Sequence, residues 1–209
     1  NGAGFGLFAA LPSGGDFIPL PVNTTRIQVI HNSADLAADT VDVWVDGDRA
    51  IPNFAFRTAT PFIDLPTGVG LDISVTGQGA ADTTGAVYRL DDLTLTHDST
   101  YIVVANGIVS GSGYSPNVPF ELYLYDQGRE QSATGATTDI LLFHGSTDAP
   151  TVDVTEPVIS QATIVDDLQY GTFRGYLSVP TLDATFGIED SAGTTELFRY
   201  NAPLATLEI

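Results

Sequence analysis

Two polar motifs in this chain combine the residue types of a hydrolytic site. His31 and His144 each lie four residues before an aspartate, Asp35 and Asp148, with a serine between the two. Nucleophilic catalysis needs a serine, a base that takes its proton and an acid that orients the base. In each motif the three residues lie too close together to predict such a triad, and the sequence has no Gly-x-Ser-x-Gly motif. We therefore expect each histidine to end a strand and to hydrogen-bond the turn that follows, and we expect no enzymatic activity.

Metal binding is the second chemistry that these residue types could support. The chain has three His and no Cys, so a zinc or copper site is not predicted. Asp35, Asp39 and Asp42 crowd one junction between a loop and a strand, and acidic pairs occur at 91–92 and 166–167. Carboxylate oxygens are ligands that Ca²⁺ prefers, but the sequence contains no Asp-x-Asp-x-Asp-Gly loop. We expect no cofactor and keep the first three aspartates as weak calcium candidates.

Two surface chemistries involve other residues. A set of aromatic residues in the expected strands could stack on carbohydrate, although aromatic residues in strands more often form core or cross-strand pairs. This set comprises Trp44, Tyr123, Tyr125, Tyr170 and Tyr176. The tripeptide Asn23-Thr24-Thr25 matches the N-glycosylation pattern, which makes Asn23 a glycosylation candidate.

Short β-strands are the elements that must position these residues. The sequence TRIQVIHNSAD at 25–35 recurs as TDILLFHGSTD at 138–148, and Val41-Asp42-Val43 recurs as Val152-Asp153-Val154. Apolar and polar residues alternate between turns rich in Gly, Pro and Asp, which is typical of a β-sandwich. We predict an all-β protein with two tandem immunoglobulin-like sandwiches at 25–135 and 136–209, preceded by an N-terminal arm at 1–24.

Composition narrows the partners and the location. The chain has 26 acidic and 7 basic residues, for a formal net charge of −19. Such a surface repels phosphate backbones, so nucleic-acid binding is not expected. No apolar run reaches the roughly 20 residues of a membrane span, so membrane insertion is not expected. The sequence does not begin with Met, which we interpret as removal of a signal peptide, so we expect an extracellular or cell-surface protein.

The repeated motif resembles the domain-of-unknown-function family 4397. Members typically show a His or Asn, then Ser-Pro-Asp-Ala-Pro, and then Val-Asp-Val-Tyr-Val-Asp-Gly. Residues 31–35 and 41–47 correspond to this pattern, and residues 146–150 keep part of it. The resemblance covers 25 to about 130 well and 138–209 in part. It implies a secreted or cell-surface protein with immunoglobulin-like sandwiches, and it offers no enzymatic activity that could be carried over to this chain.

The two ends of the chain suggest how molecules could associate. The second copy has no counterpart for residues 101–107 or 120–125, so we expect one of its sheets to have an open edge. A continuation of the chain past residue 209 would supply the same strands. The arm, in contrast, is apolar over two short segments. Its large apolar residues are Phe5, Leu7, Phe8, Leu11, Phe17, Ile18, Leu20 and Val22.

These features predict a homopolymer. We expect the arm of one molecule to complete the second domain of the next by donor-strand complementation. Because this contact joins two different surfaces, it builds an open chain of copies, as in an extracellular filament or surface layer. The alternative is a monomeric cell-surface adhesion or ligand-binding module for carbohydrate or calcium.

Overall fold

A computed structural model describes residues 6–20, 22–132 and 134–206. The chain is nearly all β, with 52% of residues in strands and 2% in helix, which confirms the predicted all-β class. The immunoglobulin-like arrangement of the strands stays a prediction. Within the described residues, no helix is long and apolar enough to cross a membrane.

A first β-sandwich follows the arm. Its strands are β3 (Thr24–His31), β4 (Thr40–Val45), β5 (Asp48–Ala55), β6 (Thr58–Ala59), β7 (Ile63–Pro66), β8 (Gly70–Gly77), β9 (Tyr88–Thr94), β10 (Thr100–Asn106) and β11 (Glu121–Tyr125), with a 3-10 helix at Leu36–Ala38. One sheet has the order β11-β10-β3-β6, with β7 also paired to β3, and the other has the order β5-β4-β8-β9. Alternating side chains of both sheets form the core, among them Ile27, Leu71 and Val103.

Strand β10 joins the first sheet as a parallel strand. It runs parallel to β3, with Val103 opposite Val29, whereas β11 pairs with β10 in the antiparallel sense. The inward-facing residues of β10 and β11, which include Val103 and Leu122, contribute to the core. These two strands therefore close one side of the first sandwich.

The second sandwich is smaller. Its strands are β12 (Thr137–Phe143), β13 (Val152–Glu156), β14 (Ala162–Leu168), β15 (Phe173–Pro180), β16 (Ala184–Asp190) and β17 (Glu196–Ala202). Strands β12 and β15 form a two-stranded sheet, and the other sheet has the order β14-β13-β16-β17. Val152, Val154, Val165 and Leu168 are buried between them, against Leu142 of β12. The predicted boundary after residue 135 falls between β11 and β12.

The two sandwiches meet sheet against sheet. Ile102 and Val104 lie on the side of β10 that faces away from the first core, yet both are buried. They line a shared cavity with Leu141 and Phe143 of β12. Aromatic rings extend this contact, with ring centroids 5.2 Å apart for Tyr123 and Phe143. The interface joins the outer face of the five-stranded sheet to the outer face of the two-stranded sheet.

The N-terminal arm forms a small hairpin. Strand β1 (Phe8–Ala9) pairs with β2 (Ile18–Pro19) in the antiparallel sense, and the Leu20 N–H donates to the Leu7 carbonyl at 2.8 Å. The large apolar residues of the described arm are exposed, and this set comprises Leu7, Phe8, Leu11, Phe17, Ile18, Leu20 and Val22. Phe5, the remaining arm residue of the prediction, lies outside the described residues.

Candidate functional site

An open groove runs along the second sandwich. Its volume is about 460 Å³. One wall is the end of β12, and the floor is the core-facing side of β13, β16 and β17. Residues of the first sandwich, among them Phe56 and Arg57, also line the groove. The apolar lining includes Leu142, Val154, Ile188, Phe198 and Tyr200. An apolar groove open to solvent is typical of a surface that binds another segment of protein.

The groove exists because the core-facing side of β16 and β17 is uncovered, whereas the corresponding strands of the first sandwich are covered. There Val75 lies opposite Tyr88, and the Tyr88 ring packs on Phe120, with ring centroids 5.2 Å apart. In the second sandwich Ile188 lies opposite Phe198 in the same way. The Phe198 side chain is 63% exposed, because no described residue takes the place of Phe120.

The edge of β12 beside the groove is open as well. In the first sandwich, the N–H groups of Arg26 in β3 and of Asn32 just after it donate to the carbonyls of Ser99, just before β10, and of Ala105 in β10, at 3.2 and 2.8 Å. Strand β12 pairs only with β15 among the described strands. Because alternate residues of a strand direct their N–H groups to opposite edges, the Leu141 and Phe143 N–H groups point to the unpaired edge. An unpaired edge beside an apolar groove is a template for an incoming strand.

The junction between the sandwiches forms one end of the groove. Asn106 Nδ2 donates to the Gly145 carbonyl and to the Tyr170 hydroxyl, both at 3.0 Å. Asn32 Nδ2 donates in turn to Asn106 Oδ1 at 3.0 Å. A Cβ atom at position 145 would lie 2.3 Å from Asn32 Nδ2, so this contact requires glycine. Burial raises the pKa of Tyr170, which therefore stays neutral in this network.

Residues 25–155, more than half of the chain, match the family model DUF4397, a domain of unknown function. The chain belongs to the DUF4397 family. The match begins at the first residue of the predicted first repeat and extends into β13, as one continuous copy. A search of curated proteins finds no match.

The motif histidine of the DUF4397 match is a buried structural residue. His31 Nε2 lies 2.7 Å from the Ala38 carbonyl, and the Ser33 N–H donates to His31 Nδ1. Nε2 is then the protonated nitrogen of a neutral ring. Burial lowers the pKa of His31. His144 repeats the arrangement, with Nε2 2.8 Å from the Pro150 carbonyl.

The calcium candidates hold two separate loops. Asp35 accepts from the Val109 N–H at 2.9 Å and from both the N–H and the hydroxyl of Ser110. Burial alone would raise the pKa of Asp35, but hydrogen bonds from the Ala37 and Ser110 N–H groups and the Ser110 hydroxyl outweigh it and hold the pKa below its usual value. Asp42 instead accepts from the Asn53 and Gly79 N–H groups. Asp39 is exposed, and calcium binding by the three stays a prediction.

Three other aspartates, in the second sandwich, have carboxylates close to one another. Carboxylate oxygens of Asp153, Asp166 and Asp167 lie within 4.8 Å of one another. The pair at 166–167 is visible in the sequence, but Asp153 was missed. It could have been found from the sequence, because Val152-Asp153-Val154 repeats Val41-Asp42-Val43. Asp153 Oδ1 accepts from the Asp167 N–H at 2.8 Å, which explains part of the approach.

The remaining candidates are an exposed asparagine, a buried tryptophan and the tyrosines at the junction of the sandwiches. Asn23 is exposed, whereas the hydroxyl of Thr25 in the same tripeptide is buried and donates to the Ser99 carbonyl at 2.5 Å. Trp44 is buried and donates from Nε1 to Thr76. The tyrosines considered for carbohydrate stacking contact other aromatic rings at the junction of the sandwiches. These contacts are Tyr123 to Tyr170 and Tyr125 to Tyr176.

Proposed function

We propose that this protein is a secreted structural subunit of an extracellular filament or surface layer. The arm of one molecule fills the groove of the next and pairs with the open edge of β12. Residues 136–209 act as a second, incomplete copy of the family domain, and the arm completes it in a neighbour. The observation that carries the proposal is the match between an exposed apolar arm and an exposed apolar groove beside β12, a strand with one unpaired edge.

The size of the apolar contact is sufficient for a stable joint. Phe198 and Tyr200 in the groove and Leu7, Ile18 and Leu20 on the arm are all exposed in the single chain. Burying a large apolar side chain contributes about 1.5 to 3 kcal/mol. These five side chains are 44% to 66% exposed in the single chain, so their newly buried parts give a gross gain of about 4 to 8 kcal/mol, from which the cost of ordering the joint is subtracted.

Charge opposes association elsewhere on the molecule. Copies with a net charge of −19 repel one another, but the only charged residue of the arm within 6–20 is Asp16. The arm can therefore contact a neighbouring molecule with little additional electrostatic repulsion. Salt screens the remaining repulsion, so we expect assembly to strengthen as ionic strength rises. The same charge leaves nucleic acid outside the proposed partners, and the proposal requires no cofactor.

Removal of residues 1–22 tests the proposal. The full chain is expected to form assemblies in size-exclusion chromatography with light scattering and in negative-stain electron microscopy, and the shortened chain is expected to stay monomeric. A matched control replaces exposed apolar residues outside the arm and groove, Leu36 and Val158, with serine and is expected to assemble normally.

Two results would contradict the proposal. One is assembly of the shortened chain to the same extent as the full chain. The other is a full chain that remains monomeric at high concentration and high salt. A monomeric chain would favour the alternative function, a cell-surface adhesion or ligand-binding module.

A further inference from the structure

The arm hairpin has the same strand order as the pair that closes the first sandwich. In both pairs the two strands are consecutive in the chain and antiparallel, β1 with β2 and β10 with β11. In the first sandwich, β10 lies next to β3 and β11 is the edge strand. The second sandwich has β12 where the first has β3, and no described strand lies beyond it.

The side chains on one face of each pair also match in size and in their order along the chain. In the first sandwich Ala105 lies opposite Leu122, and Val103 lies opposite Leu124. In the arm Ala9 lies opposite Ile18. The next pair on the same face is Leu7 with Leu20, which share a backbone hydrogen bond. Each pair of strands thus presents one small and three large aliphatic residues on one face, in the same order along the chain.

Proline decides which arm strand can lie inside a sheet. Pro19 lies opposite Phe8, between the hydrogen-bonded pairs Leu7–Leu20 and Ala9–Ile18. In an antiparallel hairpin the backbone groups of such an intervening pair point away from the partner strand, so the Pro19 nitrogen faces the outer edge of β2. Proline has no N–H to donate, which confines it to sheet edges. The outer edge of β1, in contrast, presents the Phe8 N–H. Strand β1 can therefore pair on both sides, and β2 can pair only with β1.

From these three observations we infer that the arm enters the groove as a two-stranded hairpin, with β1 next to β12 and β2 as the new edge strand. The inference rests on the proposed function, in which the arm fills this groove. It also specifies the direction of β1. The Phe8 N–H points outward from β1, and the Leu141 and Phe143 N–H groups point outward from β12. Leu7 and Ala9 can therefore lie on the same face as Leu142 only if β1 runs antiparallel to β12, with Leu7 opposite Leu142.

Disulfide formation between introduced cysteines tests the strand order, because the natural chain has no Cys. Two full-length variants are compared, Leu7→Cys with Leu142→Cys and Leu20→Cys with Leu142→Cys. Neighbouring strands lie about 4.8 Å apart, within the Cα distance of a disulfide, whereas strands two apart lie at about 9.6 Å and cannot be bridged. The first variant is expected to form a ladder of covalent multimers on a non-reducing gel at least about tenfold faster than the second. The corresponding serine variants control for effects on folding and assembly.

The outcomes separate the strand order from the proposed function. A ladder from the Leu20→Cys variant alone would overturn the strand order and leave the head-to-tail joint standing. Assembly of both variants without cross-linking would likewise overturn the strand order and leave the head-to-tail joint standing. A cross-link of the first variant within one chain would support the strand order but overturn the head-to-tail joint. Absence of cross-linking in both variants, together with an unsubstituted chain that stays monomeric at high concentration, would overturn both.

Discussion

Replacement of Phe198 by alanine should weaken the joint between subunits without weakening the subunit. The side chain is 63% exposed in the single chain, so its removal is expected to change the free energy of unfolding by less than about 0.5 kcal/mol. In the joint, an arm strand covers it as Phe120 covers Tyr88. Full burial of Phe contributes about 1.5 to 3 kcal/mol, and the newly buried two-thirds contributes about 1 to 2 kcal/mol. This corresponds to an increase of about 5- to 30-fold in the concentration needed for assembly.

The two quantities are measured separately. Urea unfolding at a concentration below assembly gives subunit stability, and light scattering across a dilution series gives the assembly concentration. The matched control is Val158→Ala, which removes an apolar side chain that is 61% exposed but lies in the turn after β13. It should leave both quantities unchanged. An assembly concentration unaffected by Phe198→Ala would refute a joint in this groove, and a large loss of subunit stability would show that the groove is closed within the single chain.

Three further predictions concern the stability of the chain. Asp35→Asn places an amide against the Val109 and Ser110 N–H groups and should lower the free energy of unfolding in urea by roughly 3 kcal/mol. Folding lowers the pKa of His31, so below about pH 6.5 this histidine is protonated to a greater extent in the unfolded chain than in the folded one. Stability should therefore fall as the pH drops through this range, and less steeply in His31→Gln. Gly145→Val forces Asn32 aside and should cost about 1 to 3 kcal/mol in thermal or urea unfolding, whereas Gly135→Val, in open space, should cost little.

The sequence predicted most of what local pattern controls. Alternation of apolar and polar residues predicted strands, and the repeat predicted that His31 and His144 would occupy equivalent strand ends. Both do, and each contacts a backbone carbonyl within the following turn region. The acceptors, on Ala38 and Pro150, could not be assigned because their approach depends on how the chain turns back. Counting strands in the two sequence repeats predicted an open edge within 136–209. That these residues form a second, incomplete copy of the domain stays a prediction.

Other features depend on contacts distant in sequence. Phe198 and Tyr200 read as ordinary strand residues, and only their register with Ile188 and Phe186 places them on the groove floor. The junction of the sandwiches was not foreseen, because Tyr123 carries no local mark of facing a second sheet. The arm hairpin was also missed. Its strands have two residues each, too few for a periodic pattern to be recognised.

The junction bears on what kind of polymer the proposed joint would build. Buried Ile102 and Val104, the Asn106 network and the Arg129–Asp139 ion pair at 2.7 Å hold the two sandwiches against each other. The arm ends where β3 of the first sandwich begins, whereas the unpaired edge of β12 belongs to the second sandwich. The packed interface therefore holds the two sandwiches in one orientation between the arm and this edge. Repetition of one contact between two different surfaces builds an open helical assembly, so the proposed assembly is a filament.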